Sequence, residues 1–147
     1  MANVIFNNQR GSLVEHMVDG EDLIFVLLQA AQADDALRDY DDLAALLANA
    51  GNTEATFTNY TRTVIINANV TVTIDDTANE ATADFADITY SPAGNGTNNT
   101  LVKALVCIDG ASDAARFPVT AHDFATTTDG NDLTAVVDSA GFYASTD

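Results

Sequence analysis

A chain of 147 residues, 47% hydrophobic and 18% charged, has apolar matter for one buried core and too little charge to stay unfolded. Its 22 acidic residues outweigh five basic ones for a net charge of −17, and Arg10, Arg38, Arg62, Lys103 and Arg116 lie far apart. That pattern excludes the clustered cations needed to grip nucleic acid or an anionic membrane surface, and the longest apolar run, Leu23 to Leu28, falls far short of the about 20 residues that span a bilayer.

Residues 1–12, MANVIFNNQRGS, place Val4, Ile5 and Phe6 ahead of the polar Asn7, Asn8, Gln9 and Arg10 with no helical period. They are expected to form an extended N-terminal arm or an edge strand, and they lack the basic start, long apolar stretch and cleavage site of a secretory leader. Leu23 to Leu28 suits a doubly buried strand or a helix, and its length favours the strand. Leu37, Tyr40, Leu43, Leu46 and Leu47 recur at helical spacing, with Asp34 or Asp35 as cap and Asn49 to Gly51 as stop. They predict one helix over about 35–49, with Asp39, Asp41 and Asp42 turned to solvent.

From Thr53 onward the period becomes two. Thr58 to Ile66 is rich in β-branched and aromatic residues, and Val70, Val72 and Ile74 alternate with Thr71 and Thr73 up to the turn residues Asp75 and Asp76. Val70 to Asn79 reads as a hairpin. Ala81, Ala83 and Phe85 share one face while Ile88 and Tyr90 have the opposite parity, which predicts a bulge or bend near Ala86. Ser91 to Thr100 is a loop. Leu101 to Ile108 is apolar on both faces except at Lys103, as a central strand covered from both sides requires. A last strand is expected over Leu133 to Val137, after the turn Asp129-Gly130-Asn131-Asp132.

These elements predict a mainly β, α+β fold with one helix: a β-sandwich or partly open β-barrel of residues 13–147 with the arm, residues 1–12, extending from it. Leu47, Val72, Ile74, Leu105 and Val106 are expected in the core.

Chemistry-bearing residues are sparse. His16 and His122 stand without partners at metal-ligand spacing, no serine sits in a nucleophile elbow, and the single Cys107 falls in an apolar strand where a buried, inert thiol is expected. The pairs Asp34/Asp35, Asp75/Asp76 and Asp129/Asp132 read as solvated turn carboxylates, and Asp129 to Asp132 lacks the order of a calcium loop. His122-Asp123, placed in a turn beside Phe124, is the one pair from which a small hydrolase is conceivable. No catalytic residue, metal or cofactor is expected.

The segments EATFTNYTR (Glu54 to Arg62), VTVTIDDTAN (Val70 to Asn79), DITY (Asp87 to Tyr90), FPVTAHDFATTTDGNDL (Phe117 to Leu133) and GFYAS (Gly141 to Ser145), with DYDDLAALLA (Asp39 to Ala48), cover most of the chain in order. In this ordered set the chain resembles a family of small structural proteins of tailed-bacteriophage virions. The resemblance implies a structural component of the particle, made in the host bacterial cytoplasm, and leaves head and tail open; the leading expectation is the outside of the head. There it is expected to act as a homo-oligomeric cement or decoration protein bridging major capsid subunits, with a tail or neck adaptor as the alternative. Val4, Ile5, Phe6 and Arg10 are the expected partner-binding residues, reaching a neighbour through the arm.

Overall fold

Six consecutive large apolar residues in a strand demand cover on both faces, and that requirement organises the molecule. The computed structural model describes residues 20–145. Strand β1 (Leu23–Ala30) carries Leu23, Phe25 and Leu27 on one face and Ile24, Val26 and Leu28 on the other, all buried. It pairs antiparallel with β7 (Thr100–Ile108), whose Lys103 is the one charged side chain of the strand and is itself buried. The 11-residue β8 (Phe117–Thr127) completes the far side of β7, while β2 (Thr53–Glu54) and β3 (Thr63–Ile65) both pair with the near side of β1. All pairings in this five-stranded sheet are antiparallel.

On one face of the large sheet lie two short helices, α1 (Asp34–Leu37) and α2 (Leu43–Ala48), whose Leu37, Leu43 and Leu46 close a core over Ile24, Val26, Leu28, Leu105 and Cys107. On the other face lie two small sheets. One is three-stranded in the order β10 (Tyr143–Ser145), β5 (Glu80–Asp84), β4 (Thr71–Asp75), and the other pairs β6 (Ile88–Tyr90) with β9 (Leu133–Ala135). Between these sheets and the large one, Leu23, Phe25, Leu27 and Val106 meet Phe85, Tyr90 and Phe142 in the second core. The fold is thus mainly β, α+β and sandwich-like, with helices over the outer face of its larger sheet. The arm lies outside the described residues.

Four expectations change. The helix expected over 35–49 is two helices, because Asp42 adopts an extended conformation and spends its carboxylate on the Ala45 N–H at 2.7 Å, starting α2 afresh. An acidic run competes with the helix in this way, since Asp favours caps over helix interiors. The strand-like stretch 58–66 is strand only over Thr63–Ile65. That strand pairs with β1, while the hairpin expected at Val70 to Asn79 forms as β4 with β5, through a turn in which Asp75 accepts the Thr77 and Ala78 N–H groups. Ile74 is 44% exposed and Val72 and Leu47 are half-buried, because β4 is an edge strand with cover on one side and Leu47 sits at the rim of the helical core. The last strand ends at Ala135, and Val136 beyond it is 73% exposed.

The parity change near Ala86 is a crossing between sheets: β5 ends at Asp84, and Ile88 starts β6 in the other small sheet. Gly141 shapes the return of the chain. Its φ of +83° is open to glycine, and a Cβ there would collide with the Ala83 carbonyl, so the close turn brings the Phe142 N–H within 2.9 Å of that carbonyl and seats the Phe142 ring on Phe85.

Candidate functional site

Residues with chemistry are mostly engaged with one another. Asp123 lies opposite Lys103 across the β7–β8 ladder and accepts its ammonium at 2.6 Å, while Asp34 at the start of α1 accepts it at the same distance. Both contacts raise the Lys103 pKa and the first lowers that of Asp123. His122 is on strand β8 and not in a turn. As the neighbour of Asp123 in an extended strand it points to the opposite face, where its Nε2 meets Thr120 Oγ1 at 2.9 Å and the ring lies against the Phe142 backbone. Partial desolvation there, then the nearby Lys103 charge, hold its pKa below the ordinary value. The expected pair does not converge: Asp123 serves Lys103 and His122 stands on the other side of the strand.

The remaining cations are also matched. Arg62 binds Glu54 at 2.6 Å and Asp113, and Arg116 binds Asp113 and Asp109 at 2.7 Å each. Asp113, bridging two guanidinium groups, is held down to about 2, first by its hydrogen bond from Arg62. Arg38 pairs with Asp35 at 3.2 Å. Every basic side chain among the described residues therefore faces a carboxylate, so the surface they leave is acidic or neutral. The turn carboxylates are engaged too: Asp129 accepts both the backbone and side-chain amides of Asn131, and Asp132 accepts the Ser91 hydroxyl. Among the described residues no three His, Cys, Asp or Glu side chains gather as a metal site demands, and no helix is long and apolar enough to cross a membrane.

What stands open is backbone. β8 is paired with β7 along one side, and among the described residues nothing pairs with its other side over 11 residues. Natural sheets usually blunt such an edge with charges, bulges or a covering element, because unpaired N–H and C=O groups template the addition of another strand. This edge carries His122 and Asp123 mid-strand and Pro118 near its start, with Phe117 half-exposed at its tip.

A cleft opens on each side of the strand. On the helical face, about 350 Å³ lies between Leu37, Tyr40 and Leu46 and the Pro118 to Ala121 stretch of β8. On the face toward the small sheets, about 250 Å³ is lined by Phe25, Phe85, His122, Phe124 and Phe142, with Val136 and Asp138 beside it. An open edge between an aromatic groove and a second cleft offers backbone pairing together with pockets for alternate side chains, which is the arrangement of strand addition.

No protein-family model, curated protein or solved structure matches the chain. The expected partner-binding residues Val4, Ile5, Phe6 and Arg10 lie outside the described residues, so they and the β8 edge are not brought together here. Sequence reasoning missed β8. Its signal was faint: Val119, Ala121 and Thr120 alternate with no strongly apolar face, as befits a strand covered on one side only.

Proposed function

We propose that this protein is a structural component of a bacteriophage particle, a cement or decoration protein that stabilises the head by bridging neighbouring major capsid subunits on its outer surface. The observation that carries the reading is the open β8 edge with its flanking clefts, a surface suited to holding another chain. The ordered resemblance of the segments from Asp39 to Ser145 to small virion proteins supplies the particle. The mechanism is mass action. A protein that binds the assembled lattice and not its free subunits stabilises assembly in proportion to occupancy, and many copies at modest affinity sum to a large effect against internal pressure. A charge of −17 opposes non-specific clumping of free copies, so that association depends on specific contacts.

The test is the copy number in purified particles, read by quantitative mass spectrometry. Hundreds of copies, lost together with resistance of the head to heat, is the expected result. Absence from the particle overturns the reading, and a count of about six or twelve, as a tail or neck ring demands, overturns the head assignment.

A further inference from the structure

We infer that the open edge of β8 receives the N-terminal segment of a second copy of this chain, with Phe6 in the aromatic groove and Arg10 toward Asp138. The inference rests on the assembly reading above and adds to it the contact between copies.

Three observations lead there. The first is chemical fit. The groove beside β8 is walled by Phe25, Phe85, Phe124 and Phe142, so it takes a large apolar side chain, and about 250 Å³ accommodates one ring. Val4, Ile5 and Phe6 are three such side chains in succession. The second is charge. Asp138 lines the groove with no lysine or arginine beside it, and the segment that carries the apolar triplet also carries Arg10, the one basic residue before Arg38. On a chain of net charge −17, a segment with one cation and no acidic residue through position 14 is the part of a neighbour that this carboxylate attracts.

The third is reach. Leu23 pairs with Ile108, and Ile108 pairs with Phe117, so the described chain begins at the end of the large sheet where β8 begins. Phe6 stands fourteen positions before Gly20. At about 3.3 Å per position that is ~45 Å of chain, against the ~10 Å that two strand spacings put between β1 and the β8 edge. Such a length spans the gap to an adjacent molecule on a lattice, where neighbouring arms and edges meet at high effective concentration. Each copy then gives one arm and receives one, a head-to-tail contact that closes into a ring or follows the lattice.

The test uses the full-length protein. Phe6→Cys chains bearing an affinity tag are mixed with untagged Val136→Cys chains at high concentration and oxidised; Val136 is exposed at the groove, and the native Cys107 is buried. A disulfide between the two chains is expected, with little for a control mixture of Phe6→Cys and Val64→Cys, because Val64 lies on β3 at the opposite edge of the sheet. Sedimentation of the unmodified protein should show concentration-dependent oligomers that Arg10→Glu weakens several-fold and deletion of residues 1–10 abolishes with little change in Tm. Equal cross-linking at both positions overturns the inference. So does a Phe6→Cys/Val136→Cys double variant that closes within a monomer, since the segment then covers its own edge. A protein that fills its particle sites yet neither cross-links nor oligomerises defeats this inference and leaves the assembly reading standing.

Discussion

The hydroxyl of Tyr60 accepts the backbone N–H of Leu27 at 3.1 Å, in the gap where neither β2 nor β3 reaches β1. It also donates to Glu54 Oε1 at 2.9 Å, and Glu54 in turn holds Arg62, so one side chain joins the sheet ladder to the ion network. The phenol is held above its ordinary pKa, first by burial. Tyr60→Phe keeps the ring and strips the Leu27 N–H of its partner. An unsatisfied buried donor costs about 1 to 3 kcal/mol, so chemical denaturation should show a loss of that size with an unchanged m-value.

Two leucine-class residues separate core from edge. Leu105 is buried under the helices, and Leu105→Ala should cost about 2 to 5 kcal/mol through lost transfer energy and a cavity. Ile74 sits on an edge strand at 44% exposure, and Ile74→Ala should stay within about 0.5 kcal/mol. Comparable losses for the two variants, measured by the same denaturation, would place Ile74 in a core.

Acid should weaken the fold through Asp113. Its pKa is depressed from 3.8 to about 2, so in that interval the unfolded chain takes up a proton that the folded chain refuses. The stabilisation is present above about 3.8 and disappears as pH falls toward about 2. Asp75, Asp123 and Asp129, each lowered by hydrogen bonds or by Lys103, add in the same direction. Melting curves across the interval should show the Tm of Asp113→Asn below that of the natural protein near neutrality and converging on it at the acid end.

Cys107 should be silent in the native state. Burial pushes its thiol up to about 12, and no atom of the residue is exposed. The thiolate is the reactive form, so a disulfide reagent should label the protein only as fast as the sheet opens, and labelling should accelerate with denaturant. Full labelling within the mixing time in native buffer would contradict that burial.

The sequence was most legible where burial is two-sided. Leu23 to Leu28 and Leu101 to Ile108 are apolar on both faces because each face meets a core, and the lone exception, Lys103, is the residue that reaches out to two carboxylates. The helical leucines were legible by spacing, although the break between α1 and α2 was not, because Asp42 serves a cap and a helix surface with the same side chain. Pairing partners were harder still. Thr63 to Ile65 has strand character of its own, yet nothing local states that it joins β1 about forty residues earlier instead of its neighbour β4. The candidate site was the least legible part, since an edge strand has one covered face and a polar alternation that resembles a loop.

The pairing order of the large sheet has a kinetic consequence. β7 and β8 are joined by a short connection and can zip as a hairpin, but β1 must find β7 across some seventy intervening residues before either core can close. Closing so large a loop costs entropy before any contact repays it, which puts folding in the slow range of sandwich proteins, milliseconds to seconds. During that interval the hairpin exposes both edges, that of β8 and the side of β7 meant for β1. Synthesis at high concentration therefore favours chains whose surfaces repel one another, and a charge of −17 spread over 147 residues supplies that repulsion while the sheet is still incomplete.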